Sequence, residues 1–121
     1  MKIFVSHTSS INYQVDLYKP IKNYFYNNSN LEFIFPENNK QNTKQCIKNC
    51  DIFLCEISTP SFGVGIEAGW ADLYNKPIYC FHKNQVAPPS AFKFITNNIF
   101  SYNSTNDLLK KIDEILKIFN L

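Results

Sequence analysis

The run Asp51-Ile52-Phe53-Leu54-Cys55-Glu56-Ile57-Ser58-Thr59-Pro60-Ser61-Phe62-Gly63-Val64-Gly65-Ile66-Glu67-Ala68-Gly69-Trp70-Ala71 passes from an apolar segment, through a hydroxyl-rich turn, into a stretch of small and apolar residues. A short, near-continuous apolar run is what a strand covered on both faces shows, and such strands belong to parallel sheets flanked by helices. Ser58, Thr59 and Pro60 end the strand. A helix is predicted over 64–75.

Outward from this unit the same alternation continues. Strands are expected at 2–6, 31–35, 51–57, 77–82 and 99–102, where β-branched and aromatic residues crowd together. Between them, Leu17, Tyr18, Ile21, Tyr24 and Phe25 repeat at helical spacing, with Pro20 inside; that helix either begins near Pro20 or kinks there. A second helix is expected over 40–50. A last one carries the stripe Leu108, Leu109, Ile112, Ile115, Leu116 and Phe119, capped by Ser104 or Thr105 with Asp107 in its first turn. Alternating strands and helices spell an α/β layer fold with a five-stranded parallel sheet. The 121 residues suit one domain, 1–121.

All the glycines of the chain, Gly63, Gly65 and Gly69, follow directly on the most apolar strand. Turns elsewhere use Asn, Ser and Pro, so glycine is expected to mark backbone that passes close to something or takes a positive φ. Ligands of open α/β sheets bind beyond the carboxyl ends of the strands. There the N–H groups at the helix start, with the hydroxyls of Ser58, Thr59 and Ser61, suit a phosphate or sugar hydroxyls. Glu67 stands about one turn further on. It reads either as an ordinary carboxylate favoured by the helix dipole or as a carboxylate of the ligand crevice. Its neighbours Ile66, Ala68, Gly69, Trp70 and Ala71 favour the second reading, with Trp70 itself a packing residue.

A net charge of +2 argues against a nucleic-acid surface, and the absence of arginine removes any guanidinium clamp on phosphate. No apolar run is long enough for a membrane span, and no secretory leader precedes the first strand. Cys46, Cys50, Cys55 and Cys80 lie among apolar residues and read as buried free thiols, which points to the cytoplasm. Too few further ligands stand near Cys46 and Cys50 for zinc. Neither a metal nor a cofactor is expected.

The segment 50–71, followed by Lys76-Pro77-Ile78, resembles the core of the nucleoside 2-deoxyribosyltransferase superfamily, and most of all its 2'-deoxynucleoside 5'-phosphate N-hydrolases. The resemblance implies a flavodoxin-like three-layer domain and a small-molecule nucleoside or nucleotide substrate. It makes Glu67 the nucleophile that attacks C1' and holds a covalent glycosyl intermediate, released by water in a hydrolase or by a second base in a transferase. It assigns Ser61 to the 5'-phosphate and, through Pro89-Ser90-Ala91-Phe92, assigns Ser90 to the partner's phosphate site in a homodimer. Ser90 equally reads as the cap of a short helix over 90–97.

The N-terminal strand departs from that family. Its turn, Ser6-His7-Thr8-Ser9-Ser10, has neither the glycines nor the arginine, leaving Thr8 and His7 as candidate contacts to sugar or phosphate. Phe4 occupies a site position where the family tends to have Tyr. Ungapped counting puts Thr43 where a second acidic residue should stand. Lys2–Ser9 also resembles the opening of bacterial Toll/interleukin-1 receptor domains, many of which cleave NAD. The expected activity is therefore N-glycoside cleavage at Glu67, with Phe4, His7, Thr8, Ser58, Ser61, Gly63, Gly65 and Ser90 binding substrate. Alternatives are base exchange, a NAD glycohydrolase of that second kind, and a nucleotide-sensing module without turnover.

Overall fold

The computed structural model describes residues 1–36 and 42–119. Five parallel strands, β1 (Lys2–Ser6), β2 (Glu32–Ile34), β3 (Ile52–Glu56), β4 (Ile78–Lys83) and β5 (Ile99–Tyr102), form one sheet in the order β2-β1-β3-β4-β5. The α/β reading holds, and three of the predicted strands shift or shorten by one or two residues at their ends.

Strand alternation divides the core. Ile3, Val5, Ile52 and Leu54 point to one face and pack on α1 (Lys19–Phe25) and α4 (Thr105–Phe119). Phe4, Phe53, Cys55 and Cys80 point to the other and pack on α2 (Thr43–Asn49) and α3 (Phe62–Leu73). Both faces are covered, which is why the strands are apolar throughout rather than alternating. The four cysteines are free; Cys50, Cys55 and Cys80 are buried. Burial pushes the Cys50 thiol up to about 11 and Cys55 well above its usual value.

The elements differ from expectation in instructive ways. Of the two expectations for Pro20, the first is met: α1 starts beside it, at Lys19. A π-helical turn, Gln14–Tyr18, runs directly into α1, and the Lys19 N–H reaches the Gln14 carbonyl. Pro20 has no N–H to close an ordinary helical bond, and the wider turn ahead of it absorbs the mismatch. Helix α3 starts earlier than predicted, because Ser61 caps it through the Val64 N–H at 3.3 Å. Beyond its last residue, Leu73, Asn75 takes a φ of 57°, which lets the Lys76 N–H return to the Ala71 carbonyl. For α4 the choice falls on Ser104, whose hydroxyl accepts the Asp107 N–H at 3.1 Å. The expected helix over 90–97 is a shorter 3-10 turn, Ser90–Phe94, headed by Pro89. Residues 40 and 41 of the predicted second helix lie outside the described residues.

The glycine expectation needs correcting. None of the three has a positive φ. A Cβ at Gly65 or Gly69 would meet nothing within 4 Å, and one at Gly63 would meet only Ser61 Oγ at 3.8 Å. Nothing among the described residues requires them.

Candidate active site

β1 and β3 are neighbours whose connections leave in opposite directions, to β2 on one side and to β4 on the other. A crevice opens at such a reversal, beyond the carboxyl ends of the strands. Here it has a volume of about 220 Å³ and is lined by His7, Ser9, Tyr13, Tyr18, Pro36, Thr43 and Glu67.

Glu67 enters from α3, half-buried. Because Ser6 shares the face of β1 with Phe4, its hydroxyl points toward α3 and donates to Glu67 Oε1 at 2.6 Å. Burial raises the Glu67 carboxyl above its ordinary value, and the Ser6 hydroxyl opposes that rise. The outcome is a desolvated carboxylate with one oxygen held and the other available, the arrangement of an activated nucleophile or base.

On the opposite side of β1, His7 faces the π-turn. Its Nδ1 donates to the Thr8 carbonyl at 2.9 Å, and its Nε2 lies 2.5 Å from the Tyr18 hydroxyl. Tyr13 stacks on the imidazole with ring centres 4.6 Å apart. Tyr18 in turn leans on Phe35 at 4.1 Å. Across the crevice from the carboxylate stand the His7 and Tyr13 rings, with Tyr18 and Phe35 buried behind them.

The structure brings some of the predicted residues together and separates others. Glu67 and His7 line one crevice, and so does Thr43. Phe4 does not: it is fully buried and stacks on Phe53 with centres 5.7 Å apart. Its position in mid-strand, facing α3, gives its ring to the core rather than to a ligand. Thr8 is buried and ties its own turn, with its hydroxyl 3.1 Å from Ser10 Oγ, while the next residue, Ser9, lines the crevice.

Ser58 is engaged elsewhere. Its N–H and hydroxyl donate to Glu56 at 2.6 and 2.9 Å, and its oxygen accepts the Lys83 N–H at 2.7 Å. Ser61 serves as the α3 cap, and Gly63 and Gly65 lie exposed beside it. Ser90 is exposed at the start of its 3-10 turn, away from the crevice lining.

Four positions at the crevice escaped the sequence reading: Ser9, Tyr13 and Tyr18, which line it, and Ser6, which donates to Glu67. Strand parity with Phe4 is the signal for Ser6. For the tyrosines the signal is the π-turn, which no local pattern announces. The buried Glu56 also escaped the sequence reading; it accepts from Ser58 and from the Tyr102 hydroxyl and, through Ser58 and Lys83, joins the ends of β3, β4 and β5. Among the described residues there is no His, Cys, Asp or Glu group able to hold a metal, and no helix is long and apolar enough to cross a membrane.

No family model matches the chain. It is 34% identical over 73 residues to a protein of Syntrophotalea carbinolica provisionally named 2'-deoxynucleoside 5'-phosphate N-hydrolase 1. That match covers 58% of this chain and 51% of the other, so the chain spans about half the length of the curated relative it matches. Among solved structures, a CMP N-glycosidase of Clostridium botulinum shares the fold with a TM-score of 0.72 at 20% identity, covering 93% of this chain and 99% of that one. A 2-deoxyribosyltransferase of Bacillus psychrosaccharolyticus does so with a TM-score of 0.66 at 16% identity, covering 90% of each. At such identities the structures speak for the fold alone. In fold, and in sequence over those 73 residues, the likeness of this chain is to the nucleoside 2-deoxyribosyltransferase superfamily.

Proposed function

We propose that the chain is an N-glycosidase that cleaves the base–sugar bond of nucleoside or 2'-deoxynucleoside 5'-monophosphates through a glycosyl ester on Glu67. The observation that carries this is Glu67 itself, desolvated in the crevice and held through one oxygen by Ser6. Attack by the other oxygen on C1' would displace the base, and water would then release the sugar with retained configuration. The His7 and Tyr13 rings give a planar base a surface to lie against, and the first turn of α3 offers N–H groups to a phosphate.

The test is release of free base from a panel of nucleosides, their 5'-monophosphates and NAD. Release from the monophosphates is expected. Exchange that requires an added second base marks a transferase, and selective loss of nicotinamide marks a NAD glycohydrolase. Tight binding of nucleotides without product after long incubation would sink the enzyme reading.

The same reading takes the active form to be a homodimer packed through the outer face of α3. Phe62, Ile66 and Leu73 lie exposed there, Phe62 at 95%. Exposed Phe94 belongs to the 3-10 turn whose Phe92 and Ile95 pack in the same layer as α3. Such a concentration of apolar surface marks a contact with another protein surface. It also supplies a reason for Gly65 and Gly69, which let a second backbone approach. Light scattering is expected to give twice the chain mass for the wild type and the single mass for Leu73→Lys. Ser90→Ala should then lower turnover of monophosphates more than of nucleosides. A monomeric wild type with full activity would overturn this assembly.

A further inference from the structure

A retaining cleavage has two halves, and a carboxylate that attacks well is for the same reason slow to leave. One group stands against the part of Glu67 that stays out of the new bond. Ser6, the last residue of β1, is fully buried, and its hydroxyl donates to Oε1 at 2.6 Å. Resting on the N-glycosidase reading, we propose that Ser6 is a positioning residue for the second half of the reaction. It reserves Oε2 for C1' and then promotes release of the glycosyl ester by holding its carbonyl oxygen.

Both ends of this contact are fixed by the fold. Ser6 pairs with Cys55 in the ladder between β1 and β3, so its hydroxyl is not free to follow a ligand. Glu67 rides on α3, whose Val64 and Ala68 are buried in the core. With Oε1 engaged, Oε2 is the oxygen left for a sugar in the crevice that Glu67 lines.

The Ser6 bond acts differently on the two states of Glu67. A hydrogen bond to an ionised acceptor is roughly twice as strong as one to a neutral acceptor. The carboxylate is charged and the ester is neutral, so the bond weakens as the ester forms and strengthens as it breaks. Ser6 thereby makes Glu67 a better leaving group. The same preference for the charged form opposes the upward push of burial on the Glu67 carboxyl. The other titratable groups around Glu67 are the Cys55 thiol of β3, which burial keeps protonated, and His7, Tyr13 and Tyr18 of the crevice lining.

In the first step Oε2 bonds to C1', the C1'–N bond breaks toward the base, and the base takes a proton from water. In the second step water attacks C1', the C1'–Oε2 bond breaks, and its electron pair returns to Glu67. The proton released by that water goes to solvent. The sum is nucleotide plus water to base plus sugar phosphate.

Ser6→Ala and Ser6→Thr are compared with the wild type on a monophosphate it cleaves and on an analogue with a better leaving base, 5-fluorouracil for uracil or N7-methylguanine for guanine. The better base makes release of the sugar the slower half. On the analogue Ser6→Ala is expected to lower kcat about tenfold, the difference between a charged and a neutral hydrogen bond. Intact-protein mass after rapid acid quench should show the sugar-phosphate adduct accumulating in that variant. The loss on the ordinary substrate should be smaller, and Ser6→Thr, which keeps the hydroxyl, should follow the wild type. The acid limb of kcat/KM should move to higher pH in Ser6→Ala, because burial of Glu67 is then unopposed; His7 is common to both proteins, so the difference reports the carboxyl. Equal losses on both substrates, with no adduct and an unmoved acid limb, would show a merely structural serine and overturn the proposal while leaving the N-glycosidase standing. No base release by the wild type from any substrate would overturn both.

Discussion

Glu67→Gln is expected to abolish base release while making the protein more stable. Gln keeps the size of Glu and can still accept the Ser6 hydroxyl, so the fold has no reason to suffer. As a nucleophile it is nearly inert, and losses on the order of 10³–10⁶-fold in kcat are usual when such a group is removed. Stability should rise because burial holds the Glu67 carboxyl above its ordinary value. With a raised folded value, the native protein binds its proton more tightly than the unfolded chain. Stability therefore falls as pH rises through the window above the ordinary carboxylate value. Below that window Glu67 is protonated and resembles Gln. At neutral pH the variant escapes the penalty and should gain on the order of 1 kcal/mol, as functional groups held under strain commonly cost their hosts. Thermal denaturation at pH 4 and pH 7 checks this, and a gap that shrinks toward neutrality would refute it. Base release unchanged in the variant would remove Glu67 from the chemistry.

Tyr102→Phe should damage the fold rather than the chemistry. Glu56 is 5% exposed and accepts from the Ser58 N–H, the Ser58 hydroxyl and the Tyr102 hydroxyl. Removing one donor from a buried acidic group costs about 1.5–3 kcal/mol, a fall in Tm of roughly 5–12 °C for a domain of this size. Tyr102 also titrates abnormally: burial first, then Glu56, keeps its hydroxyl protonated well above the usual phenol range. A raised folded value means that this contribution is complete below about pH 10 and is lost as pH climbs beyond it. The wild type should show that alkaline loss and the Phe variant should lack it. A Tm within a degree of wild type would mean that Glu56 is satisfied without Tyr102. Because Ser58 also accepts from Lys83, the variant should loosen the turn leading to Ser61 and α3 as well.

The layered fold was legible because each strand is buried on both faces and so reads as unbroken apolar sequence. Glu67 was legible for a different reason: a carboxylate among small and apolar residues, after a strand end, has few structural explanations. Ser6 could have been found by counting along β1, since Phe4 and Ser6 share a face. Phe4 was misplaced because family position was read without that parity. The Glu56–Tyr102 contact joins residues 46 apart in sequence, and no local pattern announces such a partner. The glycines do not follow the expected explanation, because none has a positive φ and none is crowded by a described neighbour.

The π-turn at Gln14–Tyr18 makes chain length a functional variable. A π-turn holds one residue more than the α-turn it replaces. Removing any one residue there would restore ordinary helix and turn everything ahead of the deletion by about 100° relative to α1. Leu17 and Tyr18, which belong both to this turn and to the core, would be re-aimed, and the alignment of Tyr13 and Tyr18 with His7 would change with them. Relatives that keep every residue of the Glu67 segment but differ here by a single-residue gap would thus present a different wall to the same carboxylate. Divergence in what the crevice accepts can arise from insertion and deletion, without one substitution in the crevice itself.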